Sequence, residues 1–182
     1  MDSRTRPGRL TTAHIAVVGL MGAGKSTLAH AVAQRLGVPW RDSDRDIETL
    51  TGRTGHELAA DLGVGVDGLH HLEEAVLLGA LASYYPLVVS AAGWVVESEL
   101  CRTIMRHRAH VVWLHAPASV LVERMEAGTH RRTVTEAEVE ALAKRREPLF
   151  RQVADQTLDA SEGVDVLVAA LLAGLSMRRS SG

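Results

Sequence analysis

The sequence predicts an α/β domain built on a parallel sheet with helices on both faces, and three observations carry that expectation. Short apolar runs alternate along the chain with segments of helical spacing, the pattern of strand–helix–strand crossovers. A glycine-rich loop follows the first apolar run and opens the first helix; in sheets of this kind ligands sit beyond the carboxyl ends of the strands. The length of 182 residues supports one substantial core and not two.

His14-Ile15-Ala16-Val17-Val18 is apolar and rich in β-branched residues, which predicts a buried, central first strand. Leu28, Val32 and Leu36 recur at helical spacing, so a helix over 26–36 follows, stopped by Gly37-Val38-Pro39. Trp40-Arg41-Asp42 is a short second strand, with helical segments over 46–51 and 56–62 behind it. The glycine-rich 63–68 interrupts them before a longer helix over 69–82. Leu87-Val88-Val89-Ser90 is the third strand, followed by helix over 97–106. Val111-Val112-Trp113-Leu114 is the fourth, and Pro117 opens a helix to about 126. Thr135 and Glu138 have capping-box spacing, so they start a helix that ends near Pro148. Gln156-Thr157-Leu158-Asp159 is a weak fifth strand, and 164–177 a final amphipathic helix.

The expected organisation is a loose tail over 1–12, one domain over 13–177 with a lid at about 127–135, and a second tail over 178–182. A net charge of −2 provides no electrostatic footprint for nucleic acid or an anionic membrane. No run of about 18 apolar residues suggests a membrane span. Cys101 is the single cysteine, which excludes an intramolecular disulfide and fits a reducing compartment. The expectation is a cytoplasmic monomer.

Gly19-Leu20-Met21-Gly22-Ala23-Gly24-Lys25-Ser26 offers phosphates a ring of backbone N–H groups, a helix N-terminus and an ammonium, with the Ser26 hydroxyl for Mg²⁺. Asp42 and Asp44 fall where the second strand ends, on the same sheet edge as the loop. A carboxylate there can hold Mg²⁺ through its waters, and another can take the proton of an attacking hydroxyl. Aspartates at strand ends are equally common as helix caps. Arg131 and Arg132, between Gly128 and Val134, suit a closing loop that stabilises a transferring phosphate; a solvated basic turn is the plain alternative.

Taken together, Gly-Leu-Met-Gly-Ala-Gly-Lys-Ser, Asp42-Ser43-Asp44, Thr51-Gly52, Arg131-Arg132 and Arg146-Glu147-Pro148-Leu149-Phe150 resemble the shikimate kinase family over about residues 13 to 175. The resemblance implies a three-layer P-loop kinase fold with a five-stranded parallel sheet of order 2-3-1-4-5, and ATP and Mg²⁺ as cofactors. It implies that Gly22, Ala23, Gly24, Lys25, Ser26 and Thr27 bind the nucleotide, with Arg124 near the adenine. Ser26 and Asp42 would serve the metal, and Asp44 the acceptor hydroxyl as orienter or base. Lys25, Asp44 and the lid residue Arg132 would be catalytic, and Arg146 would bind an acceptor carboxylate.

Departures from the family pattern concentrate on the acceptor side. Leu69-His70 replaces Phe-Arg, with the family glutamate matched by Glu73; Ala92-Gly93-Trp94 replaces three glycines; Thr133 stands where the lid arginine precedes proline; and two residues are inserted near 63–68. An imidazole lacks the planar fork with which guanidinium grips a carboxylate. Trp94 either stacks on an acceptor ring or fills space left by other changes. From Thr54 to Leu100 there is no lysine or arginine, so the expected acceptor carries at most one negative charge, such as a monocarboxylate. Asp44, His70, Gly93, Trp94 and Arg146 are the candidate acceptor-binding residues. The expectation is an ATP-dependent kinase of a hydroxyl on a small cyclic or polyhydroxylated metabolite with a changed substrate. The alternatives are a nucleotide-binding pseudo-kinase that regulates or scaffolds a partner and, third, a nucleoside monophosphate kinase.

Overall fold

The computed structural model describes residues 13–127 and 134–179. Its core is a parallel sheet of five strands in the order β2-β3-β1-β4-β5: β1 (His14–Val18), β2 (Trp40–Asp42), β3 (Val88–Ser90), β4 (Ala109–His115) and β5 (Gln156–Asp159). All five residues of β1 are buried, as a strand covered on both faces requires. The register sets Asp42 across from Ser90, and Ser90 across from Val17. The ends of β1, β2 and β3 therefore lie level at one edge, where the phosphate loop leaves β1.

Helices α1 (Lys25–Leu36), α2 (Ser43–Thr51), α3 (Gly55–Ala60), α4 (Gly65–Leu81), α5 (Glu99–Arg108), α6 (Ala118–Ala127), α7 (Glu136–Val153) and α8 (Val164–Arg179) connect and flank the strands. The main core joins the sheet to α1, α5, α7 and α8, with Ile15, Leu28, Met105, Phe150 and Leu171 at 2% exposure or less. A second, smaller cluster of Ile47, Leu58, Leu69 and Val76 holds α2, α3 and α4 together beside the cleft.

Several boundaries differ from the sequence expectation, each for a local reason. Helix α2 starts at Ser43, because Asp42 Oδ1 accepts the N–H groups of Asp44 (3.1 Å) and Arg45 (3.3 Å) and caps it. Helix α4 starts inside the glycine-rich segment: Asp61 Oδ1 accepts from Gly63 and Val64, and Gly65 takes the left-handed φ of 63° that closes the turn. Glu97 precedes α5, whose cap is Ser98. Helix α7 does not end near Pro148 but runs through it to Val153. A mid-helix proline costs about 3 kcal/mol; burying Phe150 and Val153, each at 3% exposure or less, returns about 1.5–3 kcal/mol apiece.

Candidate active site

The phosphate loop is shaped by glycines at positive φ: Gly19 (149°), Gly22 (81°) and Gly24 (88°). A Cβ on Gly19 would stand 2.5 Å from the Leu114 carbonyl oxygen, and one on Gly22 would stand 2.8 Å from that of Leu121. The loop thus lies directly on the end of β4 and on α6, and no larger residue fits. Helices α2, α3, α5 and α7 begin with side-chain caps, whereas α1 begins at Gly24 without one. Its first amide donors, from Lys25, Ser26 and Thr27, point out of the helix start, where a phosphate is the natural acceptor.

Lys25 Nζ donates to the Leu20 carbonyl at 3.1 Å, so the ammonium is drawn back over the loop. Burial pushes its pKa below the usual lysine range; the negative charges of Asp44, Asp42 and Glu73 pull it back up, and Arg146 adds to the depression. Lys25 thus responds to the charges of Asp42, Asp44, Glu73 and Arg146. Ser26 Oγ lies 3.3 Å from Ser90 Oγ at the end of β3, a contact that gave no sign in the sequence beyond the position of Ser90 at a strand end.

Asp42 has a divided role. Its Oδ1 caps α2, while its Oδ2 is buried with no hydrogen-bond partner among the described residues. A buried carboxylate oxygen left this way is costly unless something positive is held near it. Ser26 and Asp42 together thus fit a Mg²⁺ bound through hydroxyl and water. Asp44, in the first turn of α2, is exposed, turned to the cleft closely enough to be the strongest charge on Lys25.

On the nucleotide side a cleft of about 280 Å³ opens between the loop and the end of β5, lined by Ala23, Gly24, Thr27, Arg124, Ala160 and Glu162. Arg124 Nη2 donates to the Ala160 carbonyl at 2.7 Å, which fixes the guanidinium across this cleft. Arg131 and Arg132, with most of the expected lid, lie outside the described residues.

Of the expected acceptor residues, His70, Gly93, Trp94 and Arg146 lie together. His70 and Trp94 stack in parallel, ring centroids 4.2 Å apart and planes 7° from each other. Burial, then the Arg146 charge, holds the His70 imidazole below its usual pKa, against the weaker pull of Glu97 and Asp67. It is neutral at pH 7, and one face of Trp94 is taken by it. A Cβ on Gly93 would stand 3.2 Å from the Gly19 carbonyl and 3.5 Å from Arg146 Nη1, so the turn after β3 touches both the phosphate loop and α7. Arg146, 12% exposed, donates its Nε to Glu97 Oε1 at 2.6 Å, and Arg145 donates Nη2 to the same oxygen at 2.9 Å. Glu97 was not legible as a site residue, because its partners lie 48 and 49 positions away.

The sequence model described as Shikimate kinase matches residues 21–175. A shikimate kinase of Halorhodospira halophila is 32% identical over 157 residues, 84% of this chain and 87% of that protein. One from Neisseria meningitidis is 33% identical over 157 residues, 80% of this chain and 86% of the relative. Among solved structures, the shikimate kinase from Acinetobacter baumannii in complex with shikimate superposes with a TM-score of 0.85 at 29% identity, covering 93% of this chain and 96% of that one. Sheet order, loop geometry and a likeness that runs across both sides of the cleft converge on one assignment: the chain belongs to the shikimate kinase family, small-molecule kinases that transfer a phosphoryl group from ATP to a hydroxyl.

Proposed function

We propose that this kinase is Mg²⁺-dependent and phosphorylates a hydroxyl of a small cyclic or polyhydroxylated metabolite other than the usual acceptor of its family. The observation that carries the reading is the buried Asp42 Oδ2, without a hydrogen-bond partner among the described residues, at a strand end level with Ser90 and its 3.3 Å contact to Ser26; it supports a metal-site carboxylate beside the phosphate loop. In this reading the loop amides and Lys25 hold the phosphates, and Ser26 and Asp42 hold Mg²⁺, which supplies charge neutralisation on the phosphate oxygens. Asp44 accepts the hydrogen bond of the acceptor hydroxyl. It takes that proton as the hydroxyl oxygen bonds to the γ-phosphorus and the bond to the ADP oxygen breaks. Arg132 acts on the transferring phosphate, and Arg124 flanks the base.

The changed substrate is supported by the acceptor wall. His70 is neutral and stacked on Trp94, so it offers no fork to a carboxylate. The test is ADP release in the presence of shikimate, quinate, aminoshikimate and cyclitols. Turnover is expected with a ring polyol other than shikimate. Shikimate as the best acceptor of the panel would refute the changed substrate, and ATP binding without turnover of any acceptor would point to a regulatory protein.

A further inference from the structure

The cations of the acceptor end are already matched by carboxylates of the chain itself. Lys25 faces Asp42, Asp44 and Glu73. Arg145 and Arg146 share Glu97, and Asp67 acts on the same space through His70. Arg146 is nearly buried, so its 2.6 Å bond to Glu97 is shielded from water and is a strong, charge-assisted one. Burial pushes the Glu97 carboxyl up, but the hydrogen bonds and charges of Arg146 and Arg145 outweigh it and hold the group below the ordinary carboxylate range.

Glu97 is also fixed in place by its backbone. Its N–H donates to the Trp94 carbonyl at 2.7 Å, closing the turn that carries Gly93 and Trp94, and its own carbonyl accepts from Arg102 Nη1 at 3.1 Å. The turn that replaces the family's glycines thus delivers, in one piece, the ring stacked on His70 and the carboxylate that occupies Arg146.

We propose that the acceptor is an uncharged polyol and that Glu97 sets this preference as a positioning residue, by engaging the guanidinium an acceptor carboxylate would need. This deepens the proposed function and rests on the reading of the cleft beside Asp44 as the acceptor site. A carboxylate brought to Arg146 meets a second carboxylate on the same guanidinium, with the phosphates of ATP nearby. A neutral ring meets the Trp94–His70 stack and hydrogen-bonding groups without that repulsion.

The experiment compares shikimate with its carboxamide, which keeps the ring and shape and removes the charge, by titration calorimetry on the full chain loaded with a non-hydrolysable ATP analogue and Mg²⁺. The wild type is expected to bind the carboxamide at least as tightly as shikimate. Glu97→Gln releases Arg146 and is expected to shift the ratio of the two affinities toward shikimate by about tenfold or more, while ATP-analogue affinity stays within about twofold. A wild-type preference for shikimate, an unchanged ratio in a folded Glu97→Gln protein, or no binding of either ring to either protein overturns the proposal; the wild-type ratio decides alone if the variant does not fold. ADP release is measured separately. A neutral preference in binding with no turnover of any polyol sinks the kinase reading of the cleft and leaves the acceptor class standing.

Discussion

Asp42 stands between two roles that a pair of substitutions separates. Its Oδ1 accepts two backbone N–H bonds, at 3.1 and 3.3 Å, at the start of α2, and its buried Oδ2 has no hydrogen-bond partner among the described residues and is the oxygen proposed to face the metal's water. Asp42→Ala removes both functions, and loss of an N-cap costs about 1 kcal/mol. For a chain of this size that lowers Tm by about 2–4 °C. Asp42→Asn keeps an oxygen for the cap, since Asn and Asp cap about equally well, but removes the charge. It is expected to melt nearer to wild type than Asp42→Ala does. Both are expected to lose turnover by about 10- to 100-fold at fixed Mg²⁺, the size of effect that an outer-sphere metal partner has, and to recover part of it at higher Mg²⁺. The assays are thermal unfolding and ADP release against a Mg²⁺ titration. An Asp42→Asn enzyme with wild-type turnover and Mg²⁺ response would show that the aspartate is a cap and nothing more. An Asp42→Asn protein as unstable as Asp42→Ala would refute the capping argument.

Asp44→Asn is expected to lower turnover by about 10²–10⁴-fold, the range of a general base, with ATP affinity by calorimetry nearly unchanged; retained turnover would remove Asp44 from the chemistry. Gly22→Ala meets both a left-handed φ of 81° and the Leu121 carbonyl at 2.8 Å, whereas Gly24→Ala meets φ of 88° and open space. The first combines about 1–2 kcal/mol of backbone strain with about 1–3 kcal/mol of enforced displacement, and the second has the strain alone, so denaturant unfolding should rank Gly22→Ala as clearly the less stable; equal losses would contradict the contact geometry. His14 and His70 are both held below the usual imidazole pKa of 6.5, by burial first and then by Arg108 and Arg146 respectively. The unfolded chain binds protons there more readily than the folded one, so stability is full above about pH 6.5 and falls as the pH drops from there toward the folded-state values. Urea unfolding at pH 7.5 and 5.5 should show the loss, reduced in His14→Gln and His70→Gln; greater stability at pH 5.5 would be the wrong sign.

The sheet was legible because its signals are local. Apolar β-branched runs bounded by glycine and proline define strands whatever surrounds them, and the loop between β1 and α1 fixed which edge holds the ligands. Boundaries slipped where a side chain captured backbone donors a few residues away, as Asp42, Asp61 and Ser98 do. At Pro148 a local rule lost to distant packing: Phe150 and Val153 belong to the main core, and their burial carries α7 past a residue that would end an isolated helix.

The two halves of the cleft differ in legibility for a related physical reason. Phosphate recognition uses backbone N–H groups, and the need for glycine at positive φ is written into positions 19, 22 and 24 of one short loop, so the donor side can be read from eight residues. Acceptor recognition uses side chains from separate elements, and what each contributes depends on its neighbour in space. Arg146 taken alone suggests a carboxylate clamp; beside Glu97 it is half of an internal ion pair. Trp94 taken alone offers an aromatic face, and beside His70 one face is already used. His70 stands where the family pattern has a cation, Glu97 matches Arg146 with an anion, and the stacked pair and the ion pair are joined through a single turn by the Glu97 N–H to Trp94 carbonyl bond. In the proposed reading, features that are separate in sequence act as one in the pocket, away from an anionic ligand. Restoring an arginine at position 70 by His70→Arg would then gain little shikimate affinity while Glu97 remains, and more once Glu97→Gln is added. A double-mutant cycle of the two substitutions is expected to be non-additive, with a combined gain larger than the sum of the single gains; simple additivity would mean that His70 and Glu97 act independently on the acceptor.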